Sequence, residues 1–356
     1  MKGLNNYDRL ITARINSGGF FVRLQSDTPL PFERRKKLPG QLEHEPPMIE
    51  APPIAMRYPR CNLAACMLPW TENWELDVAA FTEHVNRFLQ AGYSSLYVMG
   101  TAGEGYALSD HRFQQVVQTF AELTVGEGLD PQVGVIALSM EQITERIACA
   151  YHYGIRMFQI SLPSWGPLDE SETMLFFKSV CGAFPDCRFL HYNLPRVGRI
   201  IGGAEYRRIA DTVPNLVATK NSSTDYARTA DLLKHTPDLQ HFLLESNYAM
   251  GCSMGECSLL CSQAGLFPET TWRLFQAGLD DDLPELFRIT ALLHGVTRRL
   301  FAHCQRRMID GCYDKTFLWL RDPQFPTRML PPYLGLSDEE HQTCRAVFDA
   351  EFRQIP

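Results

Sequence analysis

The stretch LYVMGTAGEGYALS, residues 96–109, joins an apolar run to a segment of small residues. Its first four residues are typical of a buried strand, and Gly100 begins a tight loop. Loops that follow buried strands commonly carry binding groups, because the strand holds them rigidly at the edge of a sheet. The stretch therefore predicts a strand whose carboxyl end faces a ligand.

The same rhythm repeats along the chain from Cys61 onward. Short apolar runs alternate with longer amphipathic stretches, which is the pattern of βα repetition. Residues 76–92, LDVAAFTEHVNRFLQAG, show the helical spacing and end in a glycine that suits a helix C-terminus. The eight candidate strands are residues 62–68, 94–99, 132–138, 156–162, 187–192, 216–220, 240–245 and 256–261.

Eight strands that alternate with helices predict a closed (β/α)8 TIM barrel over residues 61–278. A doubly wound open sheet is the alternative, but the fingerprint GxGxxG does not follow the first strand. Residues 279–356 show helical patterns only and predict a C-terminal helical extension. Residues 1–60 are rich in proline and charge and predict an N-terminal arm. That arm is either a disordered tail or a strap packed on the domain or on a neighbouring subunit.

Composition narrows the class of protein. The chain has 356 residues, of which 45% are hydrophobic and 21% charged, and its formal net charge is -7. No basic stripe suits a nucleic acid, so none is expected as a partner. Neither a signal peptide nor a run of about 18 apolar residues is evident, so we expect a cytoplasmic protein that does not enter a membrane.

The eleven cysteines are irregularly spaced and odd in number, which predicts reduced thiols rather than a disulfide scaffold. Cys252, Cys257 and Cys261 form the tightest group. Three thiols without a CxxC pair are weak evidence for a metal, and small buried core residues are the favoured interpretation. No metal site is predicted.

Catalytic groups of a TIM barrel gather at the carboxyl ends of its strands. Lys220 ends the sixth strand, where partial desolvation would favour the neutral, nucleophilic amine that forms Schiff bases. Tyr192 ends the adjacent fifth strand and could pass protons to and from a carbinolamine on that lysine. Taken one by one, a solvated lysine and a packed rim tyrosine are the ordinary roles, and only the combination points to catalysis.

The loop after the second strand supplies a third group. Thr101 offers a hydroxyl, and Ala102 and Gly103 offer backbone N–H groups that together could hold a small carboxylate. A phosphate-binding turn is the competing use of such a loop, but the lysine and hydroxyl residue of a P-loop are missing. Glu104 is expected to support the loop by accepting backbone hydrogen bonds.

Three ordered motifs, GTAGE, YNLPRVG and the lysine of ATKNSS, resemble those of the dihydrodipicolinate synthase and N-acetylneuraminate lyase family. The family motifs read G-[ST]-[ST]-G-E, Y-N-x-P-x-R-[ST]-G and G-x-K-[DE]-[SA]-[ST], and the resemblance covers roughly residues 62–296. It implies a class I lyase or aldolase without a cofactor. Lys220 would form an imine with pyruvate or another 2-oxo acid, Tyr192 would relay protons, and Thr101 would support that relay.

Several positions depart from the family pattern. Ala102 replaces a hydroxyl residue, so one hydrogen bond to the carboxylate is lost. Arg196, in a shortened loop, is the expected match for the arginine that holds a second substrate's carboxylate. Trp165 stands in a segment that often supplies a relay tyrosine to a neighbouring subunit, and it hints at a bulkier aldehyde. Leu260 lies on the altered rim at the eighth strand.

The resemblance thus predicts a Schiff-base lyase or aldolase that makes or breaks a carbon-carbon bond or dehydrates a sugar acid. Its partners would be a 2-oxo acid and an aldehyde or sugar acid, and its assembly a homodimer or homotetramer. Two alternatives stay open: a non-catalytic relative that binds a small carboxylate metabolite, and a hydratase-aldolase for aryl or apolar aldehydes. A scaffold built through the arm and the C-terminal helices is a third view.

Overall fold

The computed structural model describes residues 55–126 and 128–356. Within them, eight parallel strands pair in chain order, and β8 pairs with β1 to close the barrel. The strands are β1 (Asn62–Cys66), β2 (Ser95–Val98), β3 (Asp130–Gly134), β4 (Met157–Ile160), β5 (Arg188–Asn193), β6 (Leu216–Asn221), β7 (Gln240–Leu243) and β8 (Ser258–Leu260). The predicted TIM barrel is confirmed, and each predicted strand has its counterpart, although β3 begins two residues earlier than expected.

Helices follow the strands around the barrel and continue beyond it. The first eight are α1 (Val78–Gln90), α2 (Asp110–Thr124), α3 (Met140–His152), α4 (Glu170–Gly182), α5 (Gly203–Thr212), α6 (Tyr226–His235), α7 (Glu245–Cys252) and α8 (Pro268–Leu279). The C-terminal helices are α9 (Leu283–Leu300), α10 (Asp310–Arg321) and α11 (Asp338–Glu351). No helix among the described residues is both long and apolar enough to cross a bilayer.

Capping residues define both ends of α1, as the sequence predicts. The Asp77 side chain accepts a hydrogen bond from the Ala80 N–H at 3.0 Å and so caps the N-terminus of α1. Gly92, with φ of +86°, turns the chain after the last helical residue. The helix buries Phe81, Val85 and Phe88 against the barrel.

Alternation along the strands divides the core in two. Most apolar residues that face the lumen form one cluster, and the larger cluster lies mainly between the sheet and the helices. Tyr192, at the mouth of the barrel, packs with the larger cluster. The lumen cluster contains Tyr58, Leu63, Tyr97, Met157, Leu190, Val217, Ala218, Phe242 and Leu260. Because Leu190 and Ala218 face inward, Tyr192 and Lys220, two residues further along, face inward as well.

The end of the predicted arm is part of the barrel. Tyr58 is buried in the lumen cluster, and its hydroxyl accepts a hydrogen bond from the Gln132 amide at 3.1 Å. Arg57 pairs with Asp238 at 2.8 Å. The barrel contacts therefore begin before Cys61, and the remainder of the predicted arm, residues 1–54, lies outside the described residues.

Candidate active site

Lys220 and Tyr192 lie side by side at the mouth of the barrel. They are partners in the register of β5 and β6, and both side chains are at least 94% buried. The Lys220 Nζ lies 4.1 Å from the centroid of the Tyr192 ring and 5.2 Å from that of Tyr97. Two aromatic faces thus hold the amine in the lumen.

A cavity of about 380 Å³ opens above this pair. Its size falls in the range of small-molecule sites. Five predicted site residues besides Tyr192 line it, namely Thr101, Ala102, Arg196, Lys220 and Leu260, together with Tyr97, Arg307, Asp310 and Asp314. Among the described residues, no hydrogen bond joins the Thr101 hydroxyl to the Tyr192 phenol.

The glycine-rich loop after β2 is built around its own strand. A Cβ at Gly100 would fall 1.1 Å from the Tyr97 hydroxyl, and a Cβ at Gly103 would fall 2.9 Å from the Met99 nitrogen. Only glycine leaves room for these approaches, and Met99 itself has φ of +62°. Thr101 and Gly103 are both buried in this tight turn.

Glu104 supports the loop from beneath, as the sequence predicts. Its buried carboxylate accepts hydrogen bonds from Trp70 Nε1 at 2.9 Å and from the Leu330 N–H at 2.7 Å, and it pairs with the buried ammonium of Lys315. Lys315 also donates to the Arg328 carbonyl at 2.6 Å. This network ties the loop to α10 and to the segment that follows it.

The close approach of α10 brings two aspartates to the cavity. A Cβ at Gly311 would lie 2.4 Å from the Ala102 carbonyl oxygen, so this glycine lets the helix rest on the loop. Asp310 and Asp314, one turn apart on α10, consequently line the cavity that contains Lys220. Ala102, in place of the family's hydroxyl residue, contacts the apolar cluster of Met67, Leu318 and Phe325.

The guanidinium of Arg196 donates two hydrogen bonds to the carboxylate of Asp310. The two hydrogen bonds are 2.7 and 3.0 Å long, a bidentate pair. Burial acts to raise the pKa of Asp310, but the hydrogen bonds and charge of Arg196 outweigh it and the pKa is lowered. The arginine expected to hold a substrate carboxylate therefore already holds one from its own chain.

Asp314 has the opposite protonation behaviour. Its side chain is buried, and burial raises its pKa well above the ordinary value. The negative charges of Asp310 and Glu245 raise it further, while Lys220 acts against them. A carboxyl of this kind keeps its proton to a higher pH than an ordinary aspartic acid, and in the protonated form it can donate a hydrogen bond into the cavity.

Two predicted binding residues, Gly103 and Trp165, do not line the cavity. Gly103 is buried in the turn after β2, whereas Trp165 lies at the surface. It is 90% exposed, and it lines neither this cavity nor the smaller one described next. The indole of Trp165 therefore does not reach the cavity within this chain by itself, and its part in binding a bulkier aldehyde stays a prediction.

A second cavity of about 220 Å³ adjoins the first and shares Thr101, Leu194 and Arg196 with it. Most of its other lining residues are apolar or aromatic: Tyr106, Ile136, Ala137, Leu162, Val197, Ile309 and Tyr333, besides Ser161 and Ser164. The rings of Tyr106 and Tyr333 pack edge to face, with 5.3 Å between their centroids. The second cavity is thus a mainly apolar space next to the cavity that contains Lys220.

Sequence reasoning missed Asp310, Asp314 and Tyr97 as members of the site. The two aspartates stand four residues apart, a spacing that places them on one face of a helix. Nothing local indicates which surface that face covers. No group of three or more His, Cys, Asp or Glu residues suited to a metal ion occurs within residues 55–126 and 128–356.

Comparisons with known proteins agree with the fold. The sequence profile of the dihydrodipicolinate synthetase family matches residues 59–351. A 4-hydroxy-tetrahydrodipicolinate synthase of Exiguobacterium sibiricum is 23% identical over 272 residues, which are 74% of this chain and 89% of that protein.

Solved structures give the same result. A prophage protein of the dihydrodipicolinic acid synthase family from E. coli K12, in complex with pyruvate, has a TM-score of 0.74 and 14% identity, with coverage of 81% of this chain and 97% of the other. A catalytic lysine mutant of the Ruminococcus gnavus sialic acid aldolase has a TM-score of 0.73 and 16% identity, with coverage of 84% and 98%.

Proposed function

The chain belongs to the dihydrodipicolinate synthetase family, and from this premise we propose that it is a class I lyase or aldolase that forms an imine between Lys220 and a 2-oxo acid such as pyruvate. The observation that carries the proposal is the pairing of Lys220 with Tyr192 in one cavity of suitable size. Two relatives support it by name, one a synthase and the other an aldolase with a catalytic lysine.

Imine formation assigns a task to each group. The Lys220 nitrogen attacks the ketone carbon, the carbinolamine loses its hydroxyl as water, and a C=N bond replaces the C=O bond. Tyr192, whose ring lies 4.1 Å from the amine, is placed to carry the proton that the departing hydroxyl needs. The imine then withdraws electrons from the neighbouring carbon, which permits a carbon-carbon or carbon-oxygen bond to break or form.

The loop after β2 is proposed to hold the carboxylate of the 2-oxo acid. Thr101 lines the cavity with Lys220, and the backbone N–H groups near Ala102 and Gly103 are the remaining donors. Because Ala102 has no hydroxyl, one charge-assisted hydrogen bond worth about 1.5–3 kcal/mol is missing relative to the family motif. Arg307 is exposed at the same cavity and offers a compensating positive charge.

The second substrate is proposed to be an aryl or apolar aldehyde, which makes a hydratase-aldolase the preferred subclass. Two observations favour it over a sugar acid. The guanidinium of Arg196 is engaged by Asp310, and the adjoining cavity is lined mainly by apolar and aromatic side chains. A second carboxylate would have to displace Asp310 or meet its negative charge.

The decisive experiment is reductive trapping of the imine. The full-length protein is incubated with pyruvate and cyanoborohydride, and its intact mass is measured. We expect one reduced pyruvyl adduct, absent in Lys220→Ala and retained in Lys178→Ala, which removes an exposed lysine on α4. The second variant controls for unspecific modification of surface amines.

Failure would also be informative. If no adduct forms on Lys220 with pyruvate or with a panel of larger 2-oxo acids, the class I mechanism is wrong. Calorimetric binding of a 2-oxo acid without covalent capture would then support the alternative of a non-catalytic relative that binds a small carboxylate metabolite.

A further inference from the structure

Two cysteines meet on the side of the barrel formed by α7 and β8, outside the cavity that contains Lys220. Cys252 is the last residue of α7, and Cys257 directly precedes β8. Their Sγ atoms are 3.6 Å apart, a thiol–thiol contact within hydrogen-bonding range for sulfur. A disulfide bond of about 2.05 Å would require the two atoms to approach by about 1.5 Å.

An arginine is fixed beside the more accessible of the two sulfurs. Arg60 Nη2 donates to Cys252 Sγ at 3.3 Å, while the same guanidinium donates to the Cys257 carbonyl at 2.8 Å and the Gly278 carbonyl at 2.7 Å. The two carbonyl bonds hold the cation in position. A fixed positive charge and a neighbouring thiol donor both stabilise a thiolate at Cys252.

The pKa values of the two cysteines are shifted in opposite directions. The pKa of Cys252 is lowered to about 7, chiefly by the hydrogen bond from Cys257 and further by Tyr248 and Arg60. The pKa of Cys257 is raised, because its proton is held by that hydrogen bond and the residue is buried. Near neutral pH, Cys252 is therefore the nucleophile and Cys257 the thiol.

The backbone makes this contact possible. A Cβ at Gly251 would lie 2.9 Å from Cys257 Sγ and 2.2 Å from Leu243 Cδ1. The absence of a side chain at Gly251 leaves space for the Cys257 sulfur against the last turn of α7. Cys252 remains partly exposed, whereas Cys257 is buried. A reagent from solvent can thus reach Cys252 first.

We propose that Cys252 and Cys257 form a redox-active dithiol in which Cys252 is the site of attack and Cys257 resolves the product. With a peroxide as oxidant, the Cys252 thiolate takes one oxygen and becomes a sulfenic acid while the O–O bond breaks. The Cys257 thiol then attacks that sulfur, the S–S bond forms, and water leaves. In sum, two thiols and one hydrogen peroxide give one disulfide and two waters.

The reverse reaction uses a dithiol reductant. Its thiolate attacks one sulfur of the bond, and a second exchange releases both cysteines in the reduced form. The dithiol does not involve Lys220, so its oxidation can be tested independently of the proposed lyase activity.

Reactivity is tested first. The full-length protein is treated with limiting iodoacetamide at pH 7, and each cysteine is quantified by peptide mass spectrometry. We expect Cys252 to be labelled at least tenfold faster than Cys149 and Cys304, two partly exposed thiols whose pKa values are raised by burial. Equal rates at the three positions would overturn the assignment of Cys252 as the reactive thiol.

Disulfide formation is tested next with equimolar hydrogen peroxide. Tryptic peptide 235–273 should carry a bond between positions 252 and 257, which thiol reductant reverses. Cys257→Ser should instead leave a sulfenic acid at Cys252 that dimedone captures, and Cys304→Ser should behave as the native protein. Absence of the bond in the native protein, or of the sulfenic acid in Cys257→Ser, would refute the dithiol.

Discussion

Arg196 and Asp310 are joined by two hydrogen bonds of 2.7 and 3.0 Å between the loop after β5 and the start of α10. The contact links a barrel loop to the C-terminal helical extension at the mouth of the Lys220 cavity. It also neutralises the guanidinium that is expected to hold a substrate carboxylate. The pair therefore bears on which molecules the cavity accepts.

Removal of the Asp310 charge should change this preference. In Asp310→Asn, Arg196 becomes available, so a 2-oxo acid with a second carboxylate, such as 2-oxoglutarate, should be trapped on Lys220 with an apparent affinity about tenfold higher than in the native protein. Pyruvate affinity should change much less. Asp338→Asn, an exposed site on α11, is the control. An equal change for both acids would show that Arg196 does not select the substrate.

Removal of the Tyr192 hydroxyl should slow imine formation, while the aromatic ring continues to line the cavity. In Tyr192→Phe, the ring beside Lys220 stays but its proton donor is lost, so imine trapping with pyruvate should slow about 10²–10⁴-fold. The pyruvate concentration at half-saturation should move little. Tyr226→Phe, at an exposed position on α6, should match the native rate. A native rate in Tyr192→Phe would assign the proton transfer to another group.

The pair of Glu104 and Lys315 should be essential for stability, because both side chains are fully buried. Lys315→Met leaves an unpaired buried carboxylate and should lower the free energy of unfolding by about 3–5 kcal/mol. The double variant Glu104→Gln/Lys315→Met removes both charges and should lose less than Lys315→Met alone. Urea unfolding measures both, and Arg299→Met, which breaks an exposed pair with Glu351, should have a far smaller effect. A double variant with a lower free energy of unfolding than Lys315→Met would contradict this interpretation.

Buried histidines should make the protein sensitive to acid. Burial lowers the pKa of His84 and of His191 to about 3 and that of His241 to about 4, against 6.5 in the unfolded chain. Between pH 6.5 and 4 the unfolded state binds protons that the folded state does not, so stability is present above pH 6.5 and is lost as the pH falls. Each histidine contributes a slope of roughly 1.4 kcal/mol per pH unit.

Urea unfolding at pH 5 and pH 6 measures that slope. His191→Phe should reduce the difference between the two pH values by the contribution of one histidine, roughly 1.4 kcal/mol, whatever its effect on stability at pH 7. His111→Gln, at an exposed position on α2, should leave the difference unchanged. An undiminished slope in His191→Phe would mean that this histidine is protonated in the folded state.

The strand predictions succeeded because their signal is local. Each apolar run corresponds to a strand that is buried on both faces. The glycine and small residues after β2 form a turn that has no space for larger side chains. Lys220 and Tyr192 were also within reach of sequence reasoning, because alternation along neighbouring strands sets the direction of their side chains. His191 illustrates the converse: it points away from the lumen, and its ring nitrogen lies 2.6 Å from the Tyr206 hydroxyl.

The sequence by itself thus determined the barrel, the strand ends and the lysine-tyrosine pair, since these depend on hydrophobic periodicity within short segments. Only the tertiary structure decided that Asp310 engages Arg196, that Asp314 joins the cavity and that Trp165 faces solvent. The physical reason is distance along the chain. Arg196 and Asp310 are 114 positions apart, and their contact exists because Gly311 lets α10 rest on the loop that follows β2.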